Sequence, residues 1–250
     1  MIATSVENDP RERIIAAALR SLVTRAHTAD EDVITLPIFH PSGAAASVIV
    51  SGGPQRFRVS DGGQAYREVE MVGGEHLFGR NASKCAEAFG VALVGKLIMG
   101  DATAETLAGY IADVAAASAQ TSGRIVERVA ARSEAALGEK LYRRLTSLFG
   151  EARVVADAEV EGASSHKWRI SALVHVSGKD LVFEAVSNHH SSVYSSATMF
   201  HDLALLENRP KPIAVVESKQ AMGAFIGMLS QAASVIESDA PDTMIKRLAA

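Results

Sequence analysis

The chain has 250 residues, 48% of them hydrophobic and 22% charged, proportions that suit a folded protein with one large domain or two ordinary ones. A net charge of −4 excludes a global basic field that would draw the chain onto nucleic acid, though a local groove of Arg and Lys is compatible with it. The single cysteine, Cys85, excludes an intramolecular disulfide framework and a cysteine-rich metal site, and aromatics at 5% leave Ala, Val, Leu and Ile to build the cores. The N-terminus lacks a basic segment leading into a long apolar run, and no run of about eighteen apolar residues occurs. The expectation is a cytoplasmic protein with no membrane partner.

Asp9-Pro10-Arg11-Glu12 opens a helix, with Asp as cap, Pro at the first helical position and Glu three residues after the cap; Ile14, Ile15, Ala18, Leu19 and Leu22 share one face up to about Arg25. Strands are predicted at 33–39, 47–50 and 57–60, the last closed by Asp61-Gly62-Gly63, a composition suited to positive φ. Short helices follow at 65–72 and 81–89, with Cys85 as a small buried apolar residue in the second. A strand at 91–99 stops at Gly100, and a helix covers 103–118. These elements form a small α+β unit over residues 1–120.

Ala119 to Gly123 is the candidate boundary, read as a break between consecutive helices. The second part, 121–250, begins with a helix at 124–149 that Gly150 stops. Antiparallel strands at 154–161 and 168–176 come next, then a turn at Ser177-Gly178-Lys179-Asp180 and a strand at 181–186. A loop rich in capping residues leads into a helix ending near Asn208, and a buried strand covers 212–217. An apolar helix at 220–237 and a short one at 242–248 complete the chain. The fold class is therefore α+β in two parts, the second a mixed sheet flanked by helices.

Three motifs carry a resemblance: Ser60-Asp61-Gly62-Gly63, Gly162-Ala163-Ser164-Ser165-His166-Lys167-Trp168, and Phe200-His201-Asp202 followed by Arg209-Pro210. They resemble a family of uncharacterised bacterial and phage proteins. That family pairs a small α+β domain bearing an Asp-Gly turn with a domain similar to the PD-(D/E)XK nuclease core, often without its active residues. The resemblance implies a fold and a phage or mobile-genetic-element context, not a reaction.

In the resembled nuclease core, one hairpin strand supplies Asp and the next supplies Glu or Asp, then any residue, then Lys. These acids hold divalent ions, and the lysine assists the attacking water. Here Arg169-Ile170-Ser171-Ala172 has no acid, and Glu184-Ala185-Val186 places Val where Lys belongs. Glu184 by itself is a poor ligand set for a hard cation, so it is read as lying on the less buried sheet face or pairing with Arg169. A displaced set, Asp202, Glu217 and Lys219, spells the acid, acid, lysine pattern along the chain, though Asp202 falls in a predicted helix and Glu217 at a strand exit.

His189, His190 and His201 beside Asp202 lack metal-site spacing and read as loop polarity and capping. The glycines of Ser51-Gly52-Gly53-Pro54 and Val72-Gly73-Gly74-Glu75 read as turns, not nucleotide loops. Arg124, Arg128, Arg132, Lys140, Arg143 and Arg144 are interrupted by Glu127, Glu134 and Glu139, the pattern of a solvated helix face.

The functional expectation is a non-catalytic binding or accessory protein acting through a protein or nucleic-acid partner, with no cofactor or metal. The alternative is a nuclease dependent on Mg²⁺ or Mn²⁺, with ligands drawn from Glu184, Asp202, Glu217 and Lys219. An apolar helix face within 103–149 or 220–237 suggests a possible homodimer.

Overall fold

The computed structural model describes residues 10–28, 30–53 and 55–249, so the Asp9 cap lies outside the described residues. The chain divides into two compact units, Met1–Val129 and Ala130–Ala250. Each is α+β with its own sheet.

In the first unit, helix α1 (Pro10–Ser21) leads to β1 (Thr24–His27), β2 (Glu31–Phe39), β3 (Ala45–Gly53) and β4 (Arg56–Ser60). Helices α2 (Gln64–Glu70) and α3 (Glu75–Ala88) follow, then β5 (Ala92–Val94), β6 (Leu97–Ala102) and the start of α4 (Leu107–Phe149). The strands form one antiparallel sheet in the order β1-β2-β3-β4-β6-β5. Alternation along β3 buries Ala46, Val48 and Val50 on one face, where they join Val59, Ile98, Phe78, Val114 and Ile125 in a single core. Cys85 is buried, as expected of a small apolar residue.

Several expectations are corrected here. The first helix ends at Ser21 rather than near Arg25; Arg25 belongs to the edge strand β1 and pairs there with Asp32 at 2.7 Å. The single strand at 91–99 is a hairpin, folded at Gly95 in the left-handed region (φ 63°). No helix break occurs at 119–123, because α4 is continuous from Leu107 to Phe149. The polar residues read as a break are absorbed inside the helix: the Thr121 hydroxyl donates to the Ala117 carbonyl at 2.7 Å, and the Ser122 hydroxyl to that of Ala119 at 3.0 Å.

The second unit contains the rest of α4, then β7 (Val154–Glu161), β8 (Lys167–Val176), β9 (Lys179–Ala185), α5 (His190–Ala204) and β10 (Lys211–Val216). It closes with α6 (Lys219–Met222), α7 (Phe225–Ala232), β11 (Ser234–Glu237) and α8 (Asp242–Ala249). The sheet runs β11-β10-β9-β8-β7, antiparallel from β7 to β9 and parallel from β9 to β11. Ile213 and Val215 pack with Leu145 and Ile245 in one core, while Ala214 and Val216 pack with Phe200 and Leu229 in another. Burial of alternate residues on two sides explains the uninterrupted apolar run of this strand.

The expected helix at 220–237 is also corrected. Gly223, at φ 52°, ends α6, and Ala233 turns extended after α7. Ser234–Glu237 then pairs in parallel with Ile213–Val216, so the β-branched pair Val235-Ile236 adds a strand to the sheet. The exposed large apolar residues include Ile14, Ile15 and Leu19 of α1 and Leu22 just after it, whereas Leu229 of α7 is buried.

Candidate functional site

A cleft of about 560 Å³ opens in the second unit. Glu134, Gly138 and Tyr142 of α4 form one wall, and Asp157 of β7, Ser171 of β8 and Glu184 of β9 form the other. Ala131, Ala135 and Gly138 recur at helical spacing around Glu134, so α4 presents small residues beside that carboxylate. A Cβ on Gly138 would stand 3.8 Å from the Ser171 hydroxyl oxygen, which shows how closely the helix passes the strands.

Ser171 sits opposite Glu184 across the β8–β9 pair. Its backbone N–H donates to the Glu184 carboxylate at 2.6 Å and its hydroxyl at 2.9 Å, while the same hydroxyl accepts from the Ala185 N–H at 3.0 Å. Burial nonetheless dominates, and it pushes the Glu184 carboxyl up to about 7. Burial raises Glu134 too, against hydrogen bonds from Ser192 and Ser187. The Ser187 hydroxyl reaches Glu134 at 3.4 Å. Asp157 adopts φ 48° and pairs with Arg169 at 3.5 Å, so Arg169 serves Asp157 and not Glu184.

The other sequence candidates are not among the residues that line this cleft. Asp202 closes the β7–β8 turn: it accepts from the Ser164 N–H at 2.9 Å, the Ser164 hydroxyl at 2.8 Å and the Trp168 indole N–H at 2.7 Å. These donors, the indole first, hold its carboxyl below the usual range. Gly162 leaves room for it, since a Cβ there would fall 1.9 Å from an Asp202 oxygen and displace the carboxylate. The motif Gly162 to Trp168 with Asp202 is therefore a turn lock. Glu217 and Lys219 are exposed just after β10, where the Lys219 N–H donates to Glu237 at 2.8 Å.

The histidines also have local roles. His189 shares a hydrogen bond with the Ser191 hydroxyl at 2.7 Å and lies against the His190 ring at 4.3 Å between centroids. Among the described residues, no three His, Cys, Asp or Glu side chains are grouped so as to hold a metal ion. On the helix read as a solvated, mixed-charge face, Arg143 pairs with Glu139, and Arg144 clamps the carbonyls of Ser238 and Ala240 and the carboxylate of Asp242.

Sequence reasoning missed Glu134 and Asp157 as cleft residues. For Glu134 the signal was the small-residue face around it, obscured by the alternating charges of the same helix. Asp157 offered none, because a strand residue with positive φ is not legible from its neighbours. Comparison with protein-family models, curated proteins and solved structures returns no match. No helix among the described residues is long and apolar enough to cross a membrane.

Proposed function

We propose that this is a non-catalytic binding or accessory protein, phage- or mobile-element-linked, whose second unit keeps a scaffold similar to the PD-(D/E)XK core without its hydrolytic chemistry. The succession of helix, three antiparallel strands, helix and parallel strand supports the scaffold half of this reading. One observation carries the rest. Glu184 is tied to Ser171, and the position two residues later, where a lysine would assist a water, is Val186, 1% exposed and packed in the core.

Against the nuclease alternative stand Val186 at the lysine position and the pairing of Asp157 with Arg169. The cleft supports a protein partner over a nucleic-acid one, because a phosphate backbone would meet the like charges of Glu134, Asp157 and Glu184. A basic side chain entering the cleft would ionise both glutamates and gain charge-assisted hydrogen bonds.

The test is affinity capture from host lysate, with and without nuclease treatment. A protein partner retained after nuclease treatment and lost with Glu184→Arg is expected. Mg²⁺- or Mn²⁺-dependent cleavage of DNA or RNA by the parent chain, abolished in Glu184→Gln, would overturn the proposal in favour of the nuclease.

A further inference from the structure

Six of the buried polar residues gather in the first unit: His40, Asp61, Glu68, Ser118, Thr121 and Ser122. His40 is 3% exposed and directly follows β2. It begins a tight turn in which its N–H donates to the Ala44 carbonyl at 2.9 Å and its carbonyl accepts from the Gly43 N–H at 2.9 Å. Two side chains dock that turn. His40 Nδ1 meets the Ser122 hydroxyl of α4 at 2.8 Å, across 82 positions of sequence, and the Ser42 hydroxyl donates to Glu68 of α2 at 2.8 Å.

The protonation of the ring follows from its partners. When the Ser122 hydroxyl directs its one proton at the Ala119 carbonyl, 3.0 Å away, its oxygen accepts from Nδ1 of His40, and this is the tautomer on which the latch rests. Nε2 is then the lone-pair nitrogen, and it is buried with no hydrogen-bond partner. An added proton would turn that nitrogen into a buried donor whose neighbouring acceptors are already engaged, Glu68 by the Ser42 hydroxyl and Gln64 by the Ser47 N–H. Asp61 is already taken, with two donors on each carboxylate oxygen.

We propose that His40 is an acid-sensitive latch, holding the His40–Ala44 turn to α4 while its ring is neutral and releasing it when Nε2 takes a proton. The charged groups facing the ring do not cancel this. Glu68 and Asp61 favour the cation, as does the Gln64 side chain, and Arg67 opposes it, but burial is the largest influence and holds His40 below its usual value. Because the native ring binds a proton less readily than the unfolded one, the stability it contributes is present above about pH 6.5 and is lost as pH falls further. A charged ring would also compete for Glu68, the acceptor that tethers Ser42, so both tethers weaken together.

The experiment uses the full chain. The tautomer and titration of His40 are read by nitrogen-15 NMR, and protection of the segment 39–45 by hydrogen exchange corrected for intrinsic rates, at about pH 7.5 and about pH 5.0. His40→Asn keeps a donor near the Nδ1 position and removes the titration. The expected result is an Nδ1–H tautomer and a roughly tenfold or greater loss of protection on acidification in the parent, absent in His40→Asn. An Nε2–H tautomer, unchanged protection in the parent, or the same loss in His40→Asn would overturn the latch. If His40→Asn does not fold, the tautomer and the parent's protection decide it: Nδ1–H with a loss of protection upholds the latch, and any other pairing overturns it.

Discussion

Asp61 and Glu184 are both carboxylates removed from bulk water, yet the two regions treat them in opposite ways. Asp61 is 2% exposed and receives four donors: the N–H groups of Gly63 and Ile98 at 2.9 Å, that of Ala65 at 3.1 Å, and the Ser118 hydroxyl at 2.9 Å. It joins the Asp-Gly turn, α2, β6 and α4 into one structure. Among the described residues Glu184 has Ser171 alone as donor, and it faces a cleft that also holds Glu134. A fully satisfied buried carboxylate stabilises a fold, because each partner's desolvation is offset. An under-satisfied one at the wall of a cleft is destabilised in its charged form and therefore available to a ligand.

The largest effect is expected at Asp61. Asp61→Ala leaves three backbone N–H groups and a hydroxyl without their acceptor, a loss of about 4 kcal/mol. Trp168 is the only tryptophan and lies in the second unit, so it separates the two units in a denaturant titration. Far-UV circular dichroism is expected to show early loss of the first unit while Trp168 fluorescence keeps its midpoint. Equal midpoints would mean that Asp61 is no keystone.

Next comes the turn lock, where a third carboxylate, Asp202, is well supplied with donors outside the core. Gly162→Ala drives a Cβ into Asp202 and toward the Trp168 indole nitrogen, and about 2 kcal/mol of destabilisation is expected. This change reads directly in Trp168 fluorescence. An unaltered midpoint would show that the β7–β8 turn relaxes freely.

The smallest effect has the opposite sign. Glu184 is raised to about 7 from an ordinary 4.5, so the folded chain binds its proton more tightly than the unfolded chain does. The resulting stability is full below about pH 4.5 and is lost as pH rises through about 7. Glu184→Gln keeps an acceptor for Ser171 without the charge, and is expected to be more stable than the parent by about 1–2 kcal/mol at pH 8, with no gain at pH 4. A gain of equal size at both pH values would remove ionisation as the cause.

Much of the fold is legible in the residues taken in order. The Val-Ile-Val run at 48–50, the turn at Asp61-Gly62-Gly63, the antiparallel strands read at 154–161 and 168–176 and the apolar run read at 212–217 are local signals, because side-chain period and turn chemistry are local properties. The missing acid in β8 and Val186 in place of a lysine were readable for the same reason. Tertiary structure decided the rest. Polar residues at 119–123 continue a helix because their hydroxyls find carbonyls within it, and Val235-Ile236 become a strand because β10 offers an open edge. The cleft is tertiary as well. Glu134, Asp157, Ser171 and Glu184 come from a helix and three strands, and only packing brings them to one surface and removes enough water to shift the two glutamates. Sequence specifies which carboxylates exist; the number of donors and waters around each is set by what folds against it.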